Sequence, residues 1–436
     1  MPVNQYSQNF PIFGNKPLIL TAFLFTAYTL LFCLAVTRLP FFKKSGLGGR
    51  WLCGLFLLKI AAGCFYGYIH TLSEYYPDKI DTWRFYFQSL PETELLKKDP
   101  AAFWQSLFAN GYEQNGGWLA HVNSYWNDLK HNIMLLFMSV FNLLSRDHYY
   151  TNLIFYNFLA FTGLVGLYRV CISAFPNKKI VALVCFFLIP TVVFWGSGFH
   201  KEGLLLSALG IIFFHVYHLL KKHEKSAFAG YRLLVTGLLL LFMLLLRPYI
   251  LFALLPALLG WVVCEKIKWK PALVFTGVYV LLVVFFFASA AISRKTNLPA
   301  AISGAQHDFL ALGGNTTVTT DTLQPNPGGF IKYFPQAFDL AFLRPRPLSG
   351  GLTYLPSALE NIGLAVLLLL FIFFYRKERN NRPLLFAFAG YALTLLLLVG
   401  YSVPVTGAVI RYKVLAIPFL VFFLAVQVDW TRLKKK

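Results

Sequence analysis

Long apolar runs recur along almost the whole chain, and short connections between them hold most of its charged residues. A helix needs about 20 mostly apolar residues to cross the hydrocarbon core of a bilayer. The pattern predicts an all-α integral membrane protein with about eleven transmembrane helices in a single polytopic domain, residues 1–436. The runs are 17–37, 51–70, 149–172, 180–196, 203–220, 232–246, 248–265, 271–291, 357–375, 384–400 and 411–428.

Composition excludes a water-soluble alternative. Hydrophobic residues make up 57% of the chain and charged residues 13%, whereas soluble proteins carry about 25% charged residues. A chain this apolar does not cover its surface in water, which excludes a cytosolic enzyme, a nucleic-acid-binding protein and a disordered scaffold. The six cysteines lie within or beside apolar runs, a distribution that predicts neither a disulfide framework nor a zinc site.

The net charge of +21 is mainly a signal of orientation. More than half of the 39 Lys and Arg residues fall in clusters at every second connection between the apolar runs. Cytoplasmic loops of membrane proteins carry an excess of Lys and Arg. The alternation therefore predicts an amino terminus outside the membrane and a carboxyl terminus in the cytoplasm.

Two long connections then fall on the outer side, residues 71–148 and 292–356. The first is rich in Trp, Tyr and Phe, which favour the headgroup layer, and its segments DTWRFYFQSL and AAFWQSLFANGY predict interfacial helices. The run 132–144 is too short to span and predicts an interfacial or half-inserted helix. The second connection is rich in Gly, Pro and Thr, which predicts an irregular segment that acts as a lid. The Trp residues of the first connection are Trp83, Trp104, Trp118 and Trp126.

The segment WGSGFHKEG, residues 195–203, places three titratable side chains in one turn between two apolar runs. Charged groups at membrane depth are costly, so His200, Lys201 and Glu202 are candidates for binding a substrate phosphate. The flanking glycines allow a ligand or a neighbouring helix to approach the backbone closely. The alternative is a polar hairpin with an internal Lys–Glu pair.

Two carboxylates follow the second apolar run. Asp78 and Asp81 are three residues apart and would share one face of a helix. A carboxylate at the membrane surface can act as a general base toward a hydroxyl acceptor. The alternative is a solvated acidic turn in which Asp81 caps the following helix. Lys59 is a further charge, within the run 51–70, and its sequence context assigns it no role.

Four arginines near the outer ends of apolar runs are candidates for binding phosphate, because the planar guanidinium matches phosphate oxygens. They are Arg247, Arg344, Arg346 and Arg411, and Glu360 is a candidate partner for one of them. The alternative is that each arginine extends to lipid headgroups. Arg247 and the proline after it also predict a tight turn between two spans.

No histidine shares a metal-binding spacing with acids or cysteines, and no Walker A, GxSxG or HExxH motif is present. We therefore predict no cofactor and no metal ligands, although the histidines of the first outer connection leave a divalent metal open. The missing motifs argue against ATP-driven transport and zinc-dependent proteolysis.

Three motifs together resemble those of polytopic bacterial membrane proteins from surface-polysaccharide gene clusters, the GT-C-like glycosyltransferase and O-antigen-polymerase-like class. They are DTWRFYF after an early span, FWGSGFHKEG before a middle span, and LRPRP followed by Glu360. The resemblance implies a GT-C-like fold in the bacterial inner membrane and a sugar donor carried on polyprenyl phosphate or diphosphate. It also implies that Asp81 is the catalytic base, although GT-C carboxylates follow the first span and these follow the second.

Three functions follow from this interpretation. The first is a glycosyltransferase that moves a sugar from the polyprenyl-linked donor to an acceptor at the outer leaflet. The second is a polysaccharide polymerase that joins lipid-linked repeat units and relies on the arginines and residues 292–356. The third is a flippase or exporter of lipid-linked sugars. The expected partners are the polyprenyl-linked sugar, membrane lipid and other polysaccharide-assembly proteins, and not nucleic acid.

Overall fold

The computed structural model describes residues 18–72, 80–108, 125–221, 226–292, 296–312, 316–346, 354–378 and 380–433. Within these residues the regular structure is helical, with two isolated β-bridges, and this confirms the all-α membrane fold. The α-helices are α1 (Leu18–Arg38), α2 (Pro40–Lys43), α3 (Gly49–Thr71), α4 (Asp81–Lys98), α5 (Pro100–Ser106), α6 (Tyr125–Ser145), α7 (Tyr149–Ala174), α8 (Lys179–Leu183), α9 (Pro190–Trp195), α10 (Lys201–Leu220), α11 (Ser226–Leu246), α12 (Pro248–Ile267), α13 (Pro271–Ile292), α14 (Leu298–Leu312), α15 (Pro327–Phe338), α16 (Leu355–Phe373), α17 (Arg382–Ser402), α18 (Thr406–Lys413), α19 (Ile417–Val426) and α20 (Trp430–Leu433).

Nine helices of the described chain have the length and composition needed to cross a membrane. They are α1, α3, α7, α10, α11, α12, α13, α16 and α17. A tenth candidate is the pair α18 and α19, whose two helices are bent by 56°. This pair includes most of the predicted run 411–428, so the run is not one straight helix.

The predicted span 180–196 is wrong as a continuous helix. It consists of α8, the π-helix Val184–Leu188 and α9, and Ile189 has extended backbone before α9. Pro190 explains this break, because proline disfavours helical backbone in the preceding residue and has no amide hydrogen to donate. The predicted orientation counted this run as a crossing, so the positions of the two termini stay a prediction.

The chain forms two compact units. Unit 1 comprises Met1–Arg169 and Val193–Phe213, and unit 2 comprises Val170–Val192 and Phe214–Lys436. Helices α7 and α10 contribute residues to both. The single polytopic domain over residues 1–436 stays a prediction.

In unit 1, the described part of the first long connection folds into α4, α5 and α6, as the aromatic segments predicted. The run 132–144 lies within α6, which is not among the candidate spans. Buried Asn142 of α6 donates to the hydroxyls of Ser89 (2.8 Å) and Thr93 (3.1 Å) of α4. This polar contact joins α4 to α6 within the protein, and their interfacial position stays a prediction.

Trp83 corrects the expectation that the tryptophans of this connection all lie among lipid headgroups. Its side chain is only 1% exposed, and its indole N–H donates to the Gly67 carbonyl at 3.0 Å. Its ring stacks on Tyr149 with centroids 3.9 Å apart. Trp83 therefore anchors the start of α4 to α3 and α7.

In unit 2, the second long connection is more regular than predicted. Helices α14 and α15 account for much of 292–356, and an extended segment of described residues, 316–326, joins them. Asn326 caps α15 by accepting the Gly329 N–H at 2.8 Å. An irregular lid is thus the wrong description of most of this connection.

Helix α12 packs extensively against α17 in unit 2. The predicted tight turn between two spans is confirmed, because α11 ends at Leu246, α12 begins at Pro248 and Arg247 is the single residue between them.

Candidate functional site

In unit 1, the turn that precedes α10 is held by Lys59, the charge to which the sequence assigned no role. We call residues 196–200 the glycine turn. Lys59 is 3% exposed, and its Nζ donates to the Gly196 carbonyl at 2.9 Å and the Ser197 hydroxyl at 3.0 Å. On the α7 side, Asn157 donates its amide N–H to the Ser197 carbonyl at 2.9 Å. These bonds fix the backbone that leads into α10.

The glycines of this region allow the helices of unit 1 to approach closely. A Cβ on Gly198 would lie 2.7 Å from Cγ of the Tyr66 ring, and a Cβ on Gly203 would lie 2.7 Å from Cζ of Tyr156. The Tyr156 hydroxyl donates to the His200 carbonyl at 2.8 Å. Of the two roles predicted for these glycines, the structure therefore shows contact with neighbouring helices.

The three titratable residues of the segment WGSGFHKEG differ in accessibility. His200 and Glu202 are each 1% exposed, whereas Lys201 is half-buried. The Lys201 ammonium lies 5.7 Å from the centroid of the Phe85 ring on α4. Lys201 is thus the most accessible of the three, and the phosphate-binding roles of all three residues stay predictions.

Lys201 belongs to a charged group that we call the Asp81 cluster, made of Asp81, Arg84, His131 and Lys201. Asp81 begins α4, and its carboxylate lies 3.9 Å from the Arg84 guanidinium. The Arg84 guanidinium lies 5.9 Å from the centroid of the Phe85 ring, and the centroid of the His131 ring lies 5.3 Å from it. Two of the predicted site residues, Asp81 and Lys201, therefore both act electrostatically on His131, and the structure adds Arg84 and His131 to the site.

The N-cap position of α4 is occupied by Ile80, so the alternative in which Asp81 caps the helix does not hold. Asp81 lies in the first helical turn, where its negative charge interacts favourably with the helix dipole. Its side chain is 29% exposed and thus open to a reaction partner. Asp78, the other carboxylate predicted as a base, lies outside the described residues.

The Asp81 cluster has a net positive charge at neutral pH. Burial, together with the charges of Arg84 and Lys201, lowers the pKa of His131 to about 4, and the charge of Asp81 acts in the opposite direction. His131 is therefore neutral at pH 7, and two cations face one carboxylate. Such a group favours an anionic ligand next to a carboxylate that can accept a proton.

His131 predicts that the protein loses stability in mild acid. In the unfolded chain a histidine binds its proton near pH 6.5, whereas folded His131 resists protonation down to about pH 4. Stability therefore falls as pH drops into this window, by about 2 kcal/mol from this residue at pH 5. Thermal unfolding of His131→Gln in detergent at pH 7.5 and 5 should show a smaller acid loss than the wild type. Equal losses would contradict this assignment.

In unit 2, the two arginines of the LRPRP motif share one carboxylate. Arg344 Nε donates to Asp339 at 2.7 Å, and Arg346 Nη2 donates to its other oxygen at 2.8 Å. Burial acts to raise the pKa of Asp339, but the bonds from the two arginines outweigh it and lower the pKa. The sequence did not predict Asp339, which halves the charge that these arginines offer a phosphate.

Glu360 has a different partner from the arginine expected for it. Its carboxylate accepts the Thr191 backbone N–H at 3.1 Å and the Thr191 hydroxyl at 2.9 Å. Next to it in unit 2, buried Lys413 donates to the Asn361 side chain at 2.9 Å and to the Arg344 carbonyl at 3.2 Å. Lys413 thus holds the backbone of the arginine motif at the end of α18.

The remaining predicted arginines surround Tyr412 in unit 2. The Arg247 guanidinium donates to the Tyr412 hydroxyl at 3.2 Å and lies 4.6 Å from its ring centroid, and Arg411 lies 6.0 Å from the same centroid. Stacking on an aromatic face fixes a guanidinium in place. The prediction that these groups and the Asp81 cluster line one pocket stays a prediction.

No group of three or more His, Cys, Asp or Glu side chains suited to a metal ion occurs in the described residues.

Sequence reasoning did not assign four residues that the structure places at these sites. They are Lys59, His131, Asp339 and Lys413. The signals available were a charge within an apolar run for Lys59 and Lys413, and a carboxylate five residues before Arg344 for Asp339. His131 gave no signal, because its partners lie on other helices.

The helices and their charged groups define a polytopic all-α membrane protein. The family described as predicted membrane protein (DUF2142) matches residues 113–417, and the chain belongs to this family. No curated protein matches the chain, and no solved structure matches it.

Proposed function

We propose that the protein is a membrane glycosyltransferase that moves a sugar from a polyprenyl-(di)phosphate donor to a hydroxyl acceptor at the outer leaflet of the bacterial inner membrane. The observation that supports it is the Asp81 cluster, in which a partly exposed carboxylate lies 3.9 Å from the Arg84 guanidinium. Arg84 and Lys201 lie 5.9 Å and 5.7 Å from the centroid of the same Phe85 ring. The chemistry needs both kinds of group, a base for the acceptor and cations for the departing phosphate.

In the proposed reaction, the acceptor oxygen forms a bond to the anomeric carbon of the donor while its proton passes to the Asp81 carboxylate. The bond between the anomeric carbon and the phosphate oxygen breaks, and its electron pair stays on that oxygen. Arg84 and Lys201 stabilise the negative charge that develops there. His131 is uncharged at neutral pH, and in this proposal its ring forms a hydrogen bond to a sugar hydroxyl.

Asp81→Asn tests this proposal. The change keeps the size of the side chain and removes the base, so we expect transfer to fall by at least about 100-fold. The measurement is the profile of lipid-linked saccharides in a polysaccharide-producing strain whose own copy of the gene is replaced, with protein abundance followed in the same cells.

Glu94→Gln is the matched control, because Glu94 lies on the same helix with 56% of its side chain exposed and pairs with Lys97. It should leave the saccharide profile unchanged. An unchanged profile for Asp81→Asn at normal abundance would refute the base assignment.

The polymerase alternative is favoured by a different observation, a cavity beside Arg344 in unit 2 that is built largely from the second long connection. A polymerase that uses this region would not depend on Asp81. The same profile separates the two functions, since loss of a polymerase leaves complete single repeat units on lipid and loss of a transferase leaves truncated units. Loss of a flippase would instead leave complete units on the cytoplasmic face, where externally added enzymes do not reach them.

A further inference from the structure

Unit 2 contains a cavity of about 400 Å³ between the extended segment 316–326 and the end of α15. Its volume lies within the range of small-molecule sites, about 300–1,000 Å³. Six of the nine residues that line it have polar or charged side chains, and the other three are apolar. The lining residues are Val318, Thr319, Thr320, Asp321, Pro335, Gln336, Asp339, Leu340 and Arg344.

One wall of the cavity is held in place by two glutamines. Gln336 of α15 forms two bonds with Asp321, because its Oε1 accepts the Asp321 backbone N–H at 2.9 Å and its amide N–H donates to the Asp321 carboxylate at 2.7 Å. Gln306 of α14, 1% exposed, donates to the Asp321 carbonyl at 3.0 Å and accepts the Leu323 N–H at 2.9 Å. This wall is therefore ordered before any ligand binds.

The segment is also tied to the loop before α18. The Val318 N–H donates to the Pro404 carbonyl at 2.8 Å, and the Thr406 N–H donates to the Thr316 carbonyl at 2.9 Å. These bonds form one of the two β-bridges. The opposite wall carries Asp339 with its two arginines. Both walls thus have fixed backbone and present side chains to the cavity.

The charges of the cavity nearly cancel, unlike those of the Asp81 cluster. Asp339 is bonded by both Arg344 and Arg346, and Asp321 adds a second carboxylate. A phosphate would meet two carboxylates here and gain little from arginines that are already paired. A neutral ligand with many hydroxyls would find acceptors at the carboxylates, a donor at Arg344 and groups of both kinds at the threonines and Gln336.

We propose that this cavity binds one or two units of an uncharged saccharide, whose hydroxyls donate to Asp321 and Asp339 and accept from Arg344. The biological origin of that saccharide, as the sugar part of donor or acceptor, rests on the proposed function. Binding itself does not depend on transfer chemistry. Hydrogen bonds to a charged carboxylate are about twice as strong as neutral ones, so Asp321 contributes much of the affinity.

The test uses the full chain in lipid nanodiscs and an array of immobilised neutral and anionic oligosaccharides. We expect the protein to bind at least one neutral oligosaccharide and to bind anionic forms of the same backbone more weakly. Asp321→Asn should weaken binding about tenfold, since an amide still accepts the bond from Gln336 but carries no charge, and Asp321→Ala should weaken it further. Asp308→Asn, an exposed carboxylate of α14 outside the cavity, should have no effect.

Three results would overturn the inference. The first is that the protein binds no neutral oligosaccharide on the array, and the second is that Asp321→Asn binds as well as the wild type. The third is binding that requires added Ca²⁺, which would make the cavity a cation site. Asp81→Asn separates this inference from the proposed function. If Asp81→Asn leaves transfer unchanged while the Asp321 variants lose binding, the proposed base fails and the saccharide site stands.

Discussion

Replacing Gly210 with alanine is expected to lower the free energy of unfolding by about 3 kcal/mol, the upper end of the usual cost of overpacking. Gly210 of α10 faces Gly163 of α7, both in unit 1. A Cβ on Gly210 would lie 2.5 Å from the Gly163 carbonyl carbon, and one on Gly163 would lie 2.5 Å from the Ser207 carbonyl oxygen. These neighbours are backbone atoms, which do not move aside as the end of a side chain does.

The close approach has a reason specific to membranes. Lipid chains are as apolar as leucine side chains, so helices associate through tight packing and hydrogen bonds, for which small residues are needed. The Ser207 hydroxyl donates across this same contact to the Leu159 carbonyl at 2.7 Å. Alanine at position 210 would separate the two helices and lengthen that bond as well.

Gly237→Ala is the matched control for this prediction. Gly237 lies in α11, and a Cβ there would meet no atom within 4 Å. Alanine has a higher helix propensity than glycine, so this variant should be unchanged or slightly more stable. Thermal unfolding of both variants in the same detergent is the measurement. Equal unfolding temperatures would show that α7 and α10 do not approach as closely as the structure indicates.

The spanning helices could be predicted from sequence because their cause is local. A run of 20 apolar residues is sufficient for a span, and α1, α3 and α13 begin and end close to the predicted edges. The exceptions have local causes as well. Pro190 interrupts the apolar run 180–196, and the π-helix before it has no equally simple signature.

The prediction for the second long connection was wrong for a different reason. Its Gly, Pro and Thr content suggested irregular structure, yet Asn326 and Pro327 begin a helix in the usual way for an N-cap followed by proline. The extended part owes its conformation to bonds from Gln306 and Gln336. Each of these glutamines is 15 residues from Asp321, to whose backbone it bonds. Composition does not report such side-chain bonds to the backbone.

The candidate site was predicted in part. The motifs identified Asp81, Lys201 and Arg344 as individual residues, but several residues around them come from distant parts of the chain. His131 is 50 residues from Asp81, and the bond from Lys59 to Gly196 joins residues 137 positions apart. A charge within an apolar run can be recognised as unusual from sequence, whereas its partner depends on how the helices pack.

Replacing Lys59 with methionine is expected to destabilise the protein by about 3 kcal/mol and to reduce transfer by the proposed enzyme. Methionine fills a similar volume, but it leaves the Gly196 carbonyl and the Ser197 hydroxyl without their donor in a buried site. Each unsatisfied buried group costs about 1–3 kcal/mol. Activity should fall with stability because the glycine turn leads directly into Lys201.

Ser197→Ala separates the two bonds. It removes the hydroxyl acceptor and keeps the bond from Lys59 to the Gly196 carbonyl, so it should cost about 1 kcal/mol. Combining Lys59→Met with Ser197→Ala should cost less than the sum of the two single changes, because the second change removes a group that the first leaves unsatisfied. Thermal unfolding of the three variants gives this coupling. Strict additivity would contradict a stabilising bond between Lys59 and the Ser197 hydroxyl and would leave the Gly196 carbonyl as the partner through which Lys59 acts.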